Sequence, residues 1–220
     1  MYKAFEFDSL VVLLLGTLTT IKIFIGTILI SLVIGTFIGI ICSKKFSIYL
    51  ISNGLNFSTF IIRAIPSFVL VLFVYFATPE IFKFSLSIAM AAVIALGINA
   101  SGFVSQIVKT GINSVHHGQW EAAYICGFNK FKTLKLIIIP QVLKNTMPIL
   151  INEYTHMVKS TSAIATLGVL EVTKNGMKLV DQGYNPLIVY SIVGLIYIII
   201  SIFLIFFGKF VRKKVKYDLW

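Results

Sequence analysis

The chain has 220 residues, is 58% hydrophobic with a mean hydropathy of +0.95, and only 12% of it is charged. A soluble globular chain carries about 25% charged residues, so this composition excludes a water-soluble domain and fits one compact membrane domain. Nineteen Lys and Arg against eight Asp and Glu give a net charge of +11, but the cations cluster on alternate loops, which argues against a nucleic-acid surface and for basic residues held on the inner side of a bilayer.

Residues 2–16 place Glu6 and Asp8 ahead of the apolar run Leu10 to Leu15. That run is too short to span and predicts an interfacial helix on the outer face. No basic stretch followed by a cleavage site opens the chain, so no removable signal peptide is expected. Ile23 to Cys42 is charge-free for 20 residues, roughly 30 Å of helix, and predicts the first span. Thr27, Ser31, Gly35 and Gly39 recur on it every four residues, so small side chains line one face and let another helix approach closely. Packing is the ordinary reading of that face and gate lining the functional one.

Lys44 and Lys45 follow at once and mark the inner side. A second span is predicted within about Ser52 to Thr78, with Arg63 and Pro66 inside it, and Thr78-Pro79-Glu80 closes it on the outside. The third span, Phe84 to Val108, returns inward to Lys109. Asn99 and Gln106 lie seven residues apart on one face of it, where helix–helix hydrogen bonding is expected ahead of gating.

The longest polar break comes next. Gly118-Gln119 open a short helix, and Glu121, Ala122 and Ala123 are strong helix formers with a small, flat surface. Gly127 ends that helix by taking a left-handed conformation, and Pro140 restarts the chain in the first turn of the next. Lys130, Lys132 and Lys135 put the break on the inner side. His116 and His117 point to different faces of any helix, so a solvated loop rather than a metal site is expected. Cys42 and Cys126 fall near the inner side, where no disulfide is expected, and read as small buried fillers.

A more polar membrane segment follows, roughly Val142 to Lys159, then a short apolar piece from Thr161 to Val172 and an outer loop from Asn175 to Tyr184. Asn185-Pro186 makes an N-cap and first position for a last charge-free span, Leu187 to Gly208. Twelve basic residues fall inside, ending with Lys209, Arg212, Lys213, Lys214 and Lys216; only Lys3, Lys83, Lys174 and Lys178 fall outside. Lys22, Arg63 and Lys159 sit at membrane depth. The expected fold is therefore all-α and integral to the membrane, with five spans, N-terminus out and C-terminus in. Its divisions are an outer interfacial segment at 1–16, a transmembrane domain at 17–210 with a loop at 109–140, and a basic tail at 211–220.

Ionisable and polar groups at membrane depth tend to face a cavity or each other. Asn145, Asn152, His156 and Lys159 fall on one helical stripe, which is either a translocation path or a satisfied polar network between helices. Glu153 lies off that stripe and could pair with Arg63 or Lys159. Lys159, Thr161 and Ser162 lie beside a broken helix, where freed backbone groups can also meet a substrate. A membrane enzyme would need paired carboxylates, a His cluster or a nucleophile with its base, and no such set occurs. No Gly-x4-Gly-Lys-Ser/Thr loop occurs either, so the chain cannot cradle ATP phosphates itself. No catalytic residue, cofactor or metal is expected. A channel or structural membrane subunit remains the alternative to an energised transporter.

Glu121-Ala122-Ala123, three residues, Gly127, nine residues, Ile137, one residue, then Ile139-Pro140 resembles the EAA signature of ABC importer membrane subunits, with Ile139 where Leu is usual. The resemblance implies that Glu121, Ala122, Ala123, Gly127 and Pro140 belong to a cytoplasmic coupling helix and its exit, docking in a cleft of a separate ATPase. The chain is also similar to the polar-amino-acid uptake branch. Arg63 and Pro66 match its Phe-Arg-Gly-Thr-Pro stretch, with Ala64 and Ile65 in place of Gly-Thr. Ser101 to Ile112 resembles another of its runs, with Phe103, Gln106, Lys109 and Thr110 departing from it. Ser114-Val115, Gly118-Gln119, Pro140-Gln141, Asn152-Glu153, Lys159, Thr161 and Ser162 match, while Ser160 replaces an Asp.

The similarity covers roughly residues 15–210. It implies a five-helix core working as a dimer with a second copy or a close relative, an ATPase pair, and an extracytoplasmic binding protein that docks around Glu80 and Asn175 to Tyr184. Polar amino acids would cross by alternating access. The missing acid at Ser160, with Lys159 and Arg63 kept, tilts the expected substrate toward neutral or acidic amino acids.

Overall fold

A computed structural model describes residues 2–217 of the chain, and side chains as far as Lys213. The fold is helical: α1 (Phe7–Ile41), α2 (Tyr49–Ala64), α3 (Ser67–Phe82), α4 (Ile88–Asn113), α5 (His117–Ile125), α6 (Lys130–Thr133), α7 (Ile139–Ser160), α8 (Val172–Asp181) and α9 (Pro186–Tyr217). Four stretches are long and apolar enough to cross a membrane: Phe7–Ile41, Ile88–Asn113, Lys130–Leu167 and Pro186–Lys213. The pair α2 and α3 supplies a fifth if the two count as one span. The expected tail at 211–220 lies partly outside the described residues.

The separate outer helix expected over 2–16 is instead the beginning of α1. No Pro interrupts Gly16 to Thr20, and the Thr17 and Thr20 hydroxyls donate back to the Leu13 and Gly16 carbonyls. The 35 residues of α1 make about 52 Å of helix, well beyond the ~30 Å hydrocarbon core. Packing holds its first turns: a Cβ at Gly16 would meet Asn175 Nδ2 at 2.7 Å and the Glu171 backbone at 2.9 Å, and Asn175 Nδ2 donates to Val12 O at 2.8 Å. Ahead of α1, Lys3 N donates to Gly183 O at 3.0 Å, and Phe5 meets Tyr184 edge to face.

The single span expected from Ser52 to Thr78 is broken, with α2 and α3 meeting at 102°. Pro66 has no N–H and disfavours the helical region for the residue before it, and Ile65 is extended at φ −77°, ψ 128°. The break leaves Ile62 O without its i+4 donor. Asn99 Nδ2, on α4, fills that place at 2.9 Å, so the bonding expected of Asn99 is formed; Gln106 instead stays exposed and reaches only Thr110, one turn away. Asn99→Leu should leave a half-buried carbonyl unpaired, at a cost of about 1 kcal/mol, and lower the thermal unfolding midpoint in detergent. An unchanged midpoint would show that the bond carries no stability.

α4 is the centre of the bundle: 61% of its most apolar window is buried, against 17% for α9. Its small residues Ala91, Ala92, Ala95, Gly97 and Ala100 are all buried and let α1 come close. Thr27, Ser31, Gly35 and Gly39 of α1 are buried too, and a Cβ at Gly39 would meet Ser105 O at 2.7 Å. Packing explains that stripe.

Pro140 lies in the first turn of α7, but the chain does not restart there. It is already helical from Lys130 and passes through a π turn, Leu134–Ile138. A proline ring clashes with the carbonyl four residues back, and the wider π turn makes room for it. After α7 a 3-10 stretch, Thr161–Leu167, ends at Gly168 with φ +92°. The outer loop expected from Asn175 to Tyr184 is mostly helix α8. Its core face (Val172, Asn175, Gly176 and Leu179) is buried, while Thr173, Lys174, Lys178 and Asp181 on the other face make the segment read as a loop. Buried Glu171 caps α8, accepting from Lys174 N at 2.8 Å and from Tyr197 Oη at 2.9 Å. Asn185 accepts from Leu187 N at 2.9 Å, as its place before Pro186 predicts.

Candidate functional site

The polar break forms a short helix carried on the end of the bundle. α5 begins at His117, with His116 as its N-cap; His116 Nδ1 accepts from Gly118 N at 3.1 Å. At the other end Phe128 N donates to Ala123 O at 3.0 Å and Gly127 N to Tyr124 O at 2.9 Å, the paired bonds of a Schellman cap. Gly127 takes φ +77° with nothing within 4 Å of a would-be Cβ, so its requirement is conformational and not spatial.

Within α5 only Ala123 is buried. Glu121 and Ala122 are exposed, and Tyr124 and Ile125 are 79% and 83% exposed. Cys126 is exposed as well, contrary to the buried filler expected, because it caps the helix at its outer side; Cys42 is buried as expected. α5 thus rests on the bundle through buried Ala123 and half-buried Trp120, which packs against the core around Val108 and Ile138, and turns a mixed apolar and acidic face outward. A groove of about 690 Å³ runs beside it, lined by Lys45, Trp120, Glu121, Tyr124, Phe128 and Thr133 among others.

Glu121 is held in a chain of three side chains. His117 Nδ1 lies 3.0 Å from Glu121 Oε1, and His117 Nε2 lies 2.8 Å from Lys45 Nζ. An ammonium can only donate, so Nε2 accepts from Lys45 and the ring proton sits on Nδ1, donating to Glu121. Lys45 Nζ also stands 5.6 Å from the Trp120 ring centroid, and Trp120 meets Phe46 edge to face. His117 therefore belongs to the site and not to a free loop, and the segment after α1 is tied to α5. The i, i+4 spacing of His117 and Glu121 was the one signal for this in the sequence; nothing local pointed to Lys45. Gln141 Nε2 reaches Gln119 Oε1 at 3.4 Å, linking α5 to the start of α7 one residue after Pro140.

The second candidate region is α7. Asn145, Asn152, His156 and Lys159 are all exposed and share one face. The exposed faces of α1 and α9 carry side chains such as Val33, Phe37, Ile199 and Phe203 instead. Hydrocarbon cannot solvate an amide, an imidazole and an ammonium in a row, so this face of α7 suits water or a partner and not lipid. Glu153 is half-buried beside it, and its Oε1 has no hydrogen-bond partner among the described residues.

The pairing expected for Glu153 is not formed. Arg63 is taken up by α2 and α4: its Nε donates to Thr59 O at 3.2 Å, its Cγ packs where a Gly102 Cβ would be, and its guanidinium stands 5.8 Å from the Phe103 ring centroid. Among the described residues no Lys or Arg pairs with Glu153, and the one contact of salt-bridge geometry is the His117–Glu121 hydrogen bond. Thr161 is buried and donates to Val158 O at 2.7 Å, and Ser162 donates to Lys159 O at 2.7 Å. The structure thus groups Asn152, His156 and Lys159 on one face, and leaves Arg63 outside it.

Comparison with known proteins gives a consistent result. The family described as binding-protein-dependent transport system inner membrane component matches residues 35–217. The chain is 33% identical over 199 residues to a putative glutamine transport system permease protein of Rickettsia typhi, covering 90% of each. It is 31% identical over 201 residues to an arginine transport system permease protein of Bacillus subtilis, covering 91% of each. Its fold superposes on a crystal structure of an amino acid ABC transporter with histidines, with a TM-score of 0.82 at 26% identity over 96% of this chain and 100% of the other. It also superposes on the inward-facing MetNI methionine ABC transporter, with a TM-score of 0.83 at 18% identity over 96% and 99%.

Proposed function

This chain belongs to the family of binding-protein-dependent transport system inner membrane components, the multi-pass permease subunits of ABC importers in the bacterial inner membrane, and from that premise we propose that it imports polar amino acids by alternating access. It is a transport subunit and leaves ATP hydrolysis to a separate partner. The observation that carries the path is the exposed polar face of α7 on an otherwise greasy bundle. A second copy of the chain, or a close relative, covers that face and encloses Asn152, His156, Lys159 and Ser162 between the two subunits, with Glu153 and Thr161 behind them.

In this reading the N-terminus is outside, the C-terminus inside, and the loop at 109–140 in the cytoplasm. The outward Glu121, Ala122, Tyr124 and Ile125 of α5 meet the ATPase dimer, and its closure moves α5 with Gly127 as the fixed end. A binding protein delivers the substrate around Glu80 and α8. Relatives named for glutamine, and one named for arginine, support an amino acid; the loss of the acid at Ser160 favours a neutral or acidic one. Preferred uptake of arginine or lysine would overturn that choice alone.

The test is reconstitution in liposomes with the ATPase and binding protein, reading uptake of labelled glutamine. Asn152→Leu and His156→Leu should each lower uptake about tenfold, the loss of one or two hydrogen bonds to a polar solute, while the ATPase still co-purifies. Unchanged uptake in both would remove α7 from the path. A chain that purifies alone, stable and with no nucleotide-binding subunit, would favour the channel reading.

A further inference from the structure

At the α5 end of the bundle, a cleft of about 420 Å³ between α7 and α9 is lined by Lys144, Lys209, Arg212 and Lys213. No carboxylate lines it, and none of the four forms an ion pair among the described residues. Immediately along the same two helices lies a groove of about 270 Å³, lined by Pro148, Ile151, Asn152, Thr155 and Ile205. Lys209 and Arg212 line both.

Helical spacing produces this arrangement. Lys144, Pro148, Ile151 and Thr155 follow one another at steps of four, three and four on α7, and Ile205, Lys209 and Arg212 at four and three on α9, so each set shares a face. The two faces are locked together by Gly208, whose missing side chain leaves its place to Ile151. The result is a slot that is cationic at one end and apolar along its length. Its basic part falls within the range of small-molecule sites, ~300–1,000 Å³.

We propose that this slot binds an anionic phospholipid, with its phosphate among Lys144, Lys209, Arg212 and Lys213 and an acyl chain along Ile151 and Ile205. Four cations with no carboxylate beside them among the described residues call for an anion, and the apolar continuation between two membrane helices calls for a chain attached to it. Basic pockets between spans serve anionic headgroups elsewhere for the same reason. A free phosphate would use only the cationic end, and an acidic protein surface would leave the groove between the helices unfilled.

The experiment is native mass spectrometry of the full chain in detergent. It is equilibrated in turn with phosphatidylglycerol, phosphatidylcholine, and phosphatidylglycerol with excess inorganic phosphate. Adducts of phosphatidylglycerol should persist where those of phosphatidylcholine dissociate, and phosphate should not displace them. Each cation near an anionic headgroup is worth a factor of about five, so Lys209→Gln/Arg212→Gln should lose about twenty-fivefold, while Lys209→Arg retains binding and controls for folding.

Equal retention of phosphatidylcholine would overturn the proposal, as would displacement by phosphate alone or full binding in the double variant. So would a double variant that keeps the lipid but loses a co-purifying protein subunit.

Discussion

Glu121→Lys is expected to abolish uptake while leaving the protein in the membrane at its usual level. The side chain is 64% exposed and its one hydrogen bond among the described residues is to His117 of the same helix, so its loss costs the fold little. Lysine in its place would put a second cation beside Lys45 and His117, removing the acceptor that orients the ring and reversing the charge of the outward face. α5 itself would still rest on Ala123 and Trp120. Gly127→Val should have a similar result by a different route. A β-branched residue at φ +77° pays about 1–2 kcal/mol in backbone energy, enough to unwind the Schellman turn that closes α5 and not enough to unfold a bundle anchored elsewhere. Immunoblots of the membrane fraction beside uptake assays decide the matter. Loss of both proteins from the membrane would count against a coupling role, and normal uptake would remove α5 from the energy path.

Gly35→Leu should do the reverse and remove the protein from the membrane altogether. A Cβ at Gly35 would lie 2.8 Å from Ser101 O and 2.7 Å from Val104 Cβ. The first of these is backbone in the most buried helix and cannot yield. Overpacking of this kind costs about 1–3 kcal/mol where side chains can shift, and more where α1 must move away from α4 along its length. Gly194→Ala is the matched control: nothing lies within 4 Å of its added methyl, and a helical Gly→Ala change gains about 1 kcal/mol in propensity. Comparing the solubilised yield and unfolding midpoint of the two variants tests whether the α1–α4 contact holds the fold. Equal behaviour would show that it does not.

The same residues show how far the sequence could be read. The cap at Asn185 and the left-handed turn at Gly127 are local signals, each set by the conformational preference of one residue or its immediate neighbours. The helices they bound are accordingly where they were expected. The spacing from Glu121 to Pro140 is likewise a property of the chain alone, and it was enough to indicate the family.

Errors of reading came where a local signal had two outcomes. Pro66 forbids a helical hydrogen bond whether the chain kinks mildly or turns by 102°; the turn is chosen because Asn99, 37 residues on, supplies the missing donor to Ile62 O. The apolar run within 2–16 is too short to span alone, but the docking of Asn175 and Glu171 on Val12 and Gly16 keeps the chain from Phe7 onward in α1. α8 has the composition of a loop and is a helix because its apolar face has α1 and α9 to pack against.

By itself, then, the sequence determined that this is a helical membrane protein, which stretches are apolar enough to span, and where the outward helix with its glycine end lies. Only the tertiary structure decided that Lys45 reaches His117 beside Glu121, that Arg63 goes to Phe103 and not to Glu153, and that Lys144 lines one cleft with Lys209 and Arg212. Propensity, periodicity and turn chemistry act over a few residues. These contacts join positions tens of residues apart, where the choice of partner depends on how whole helices pack.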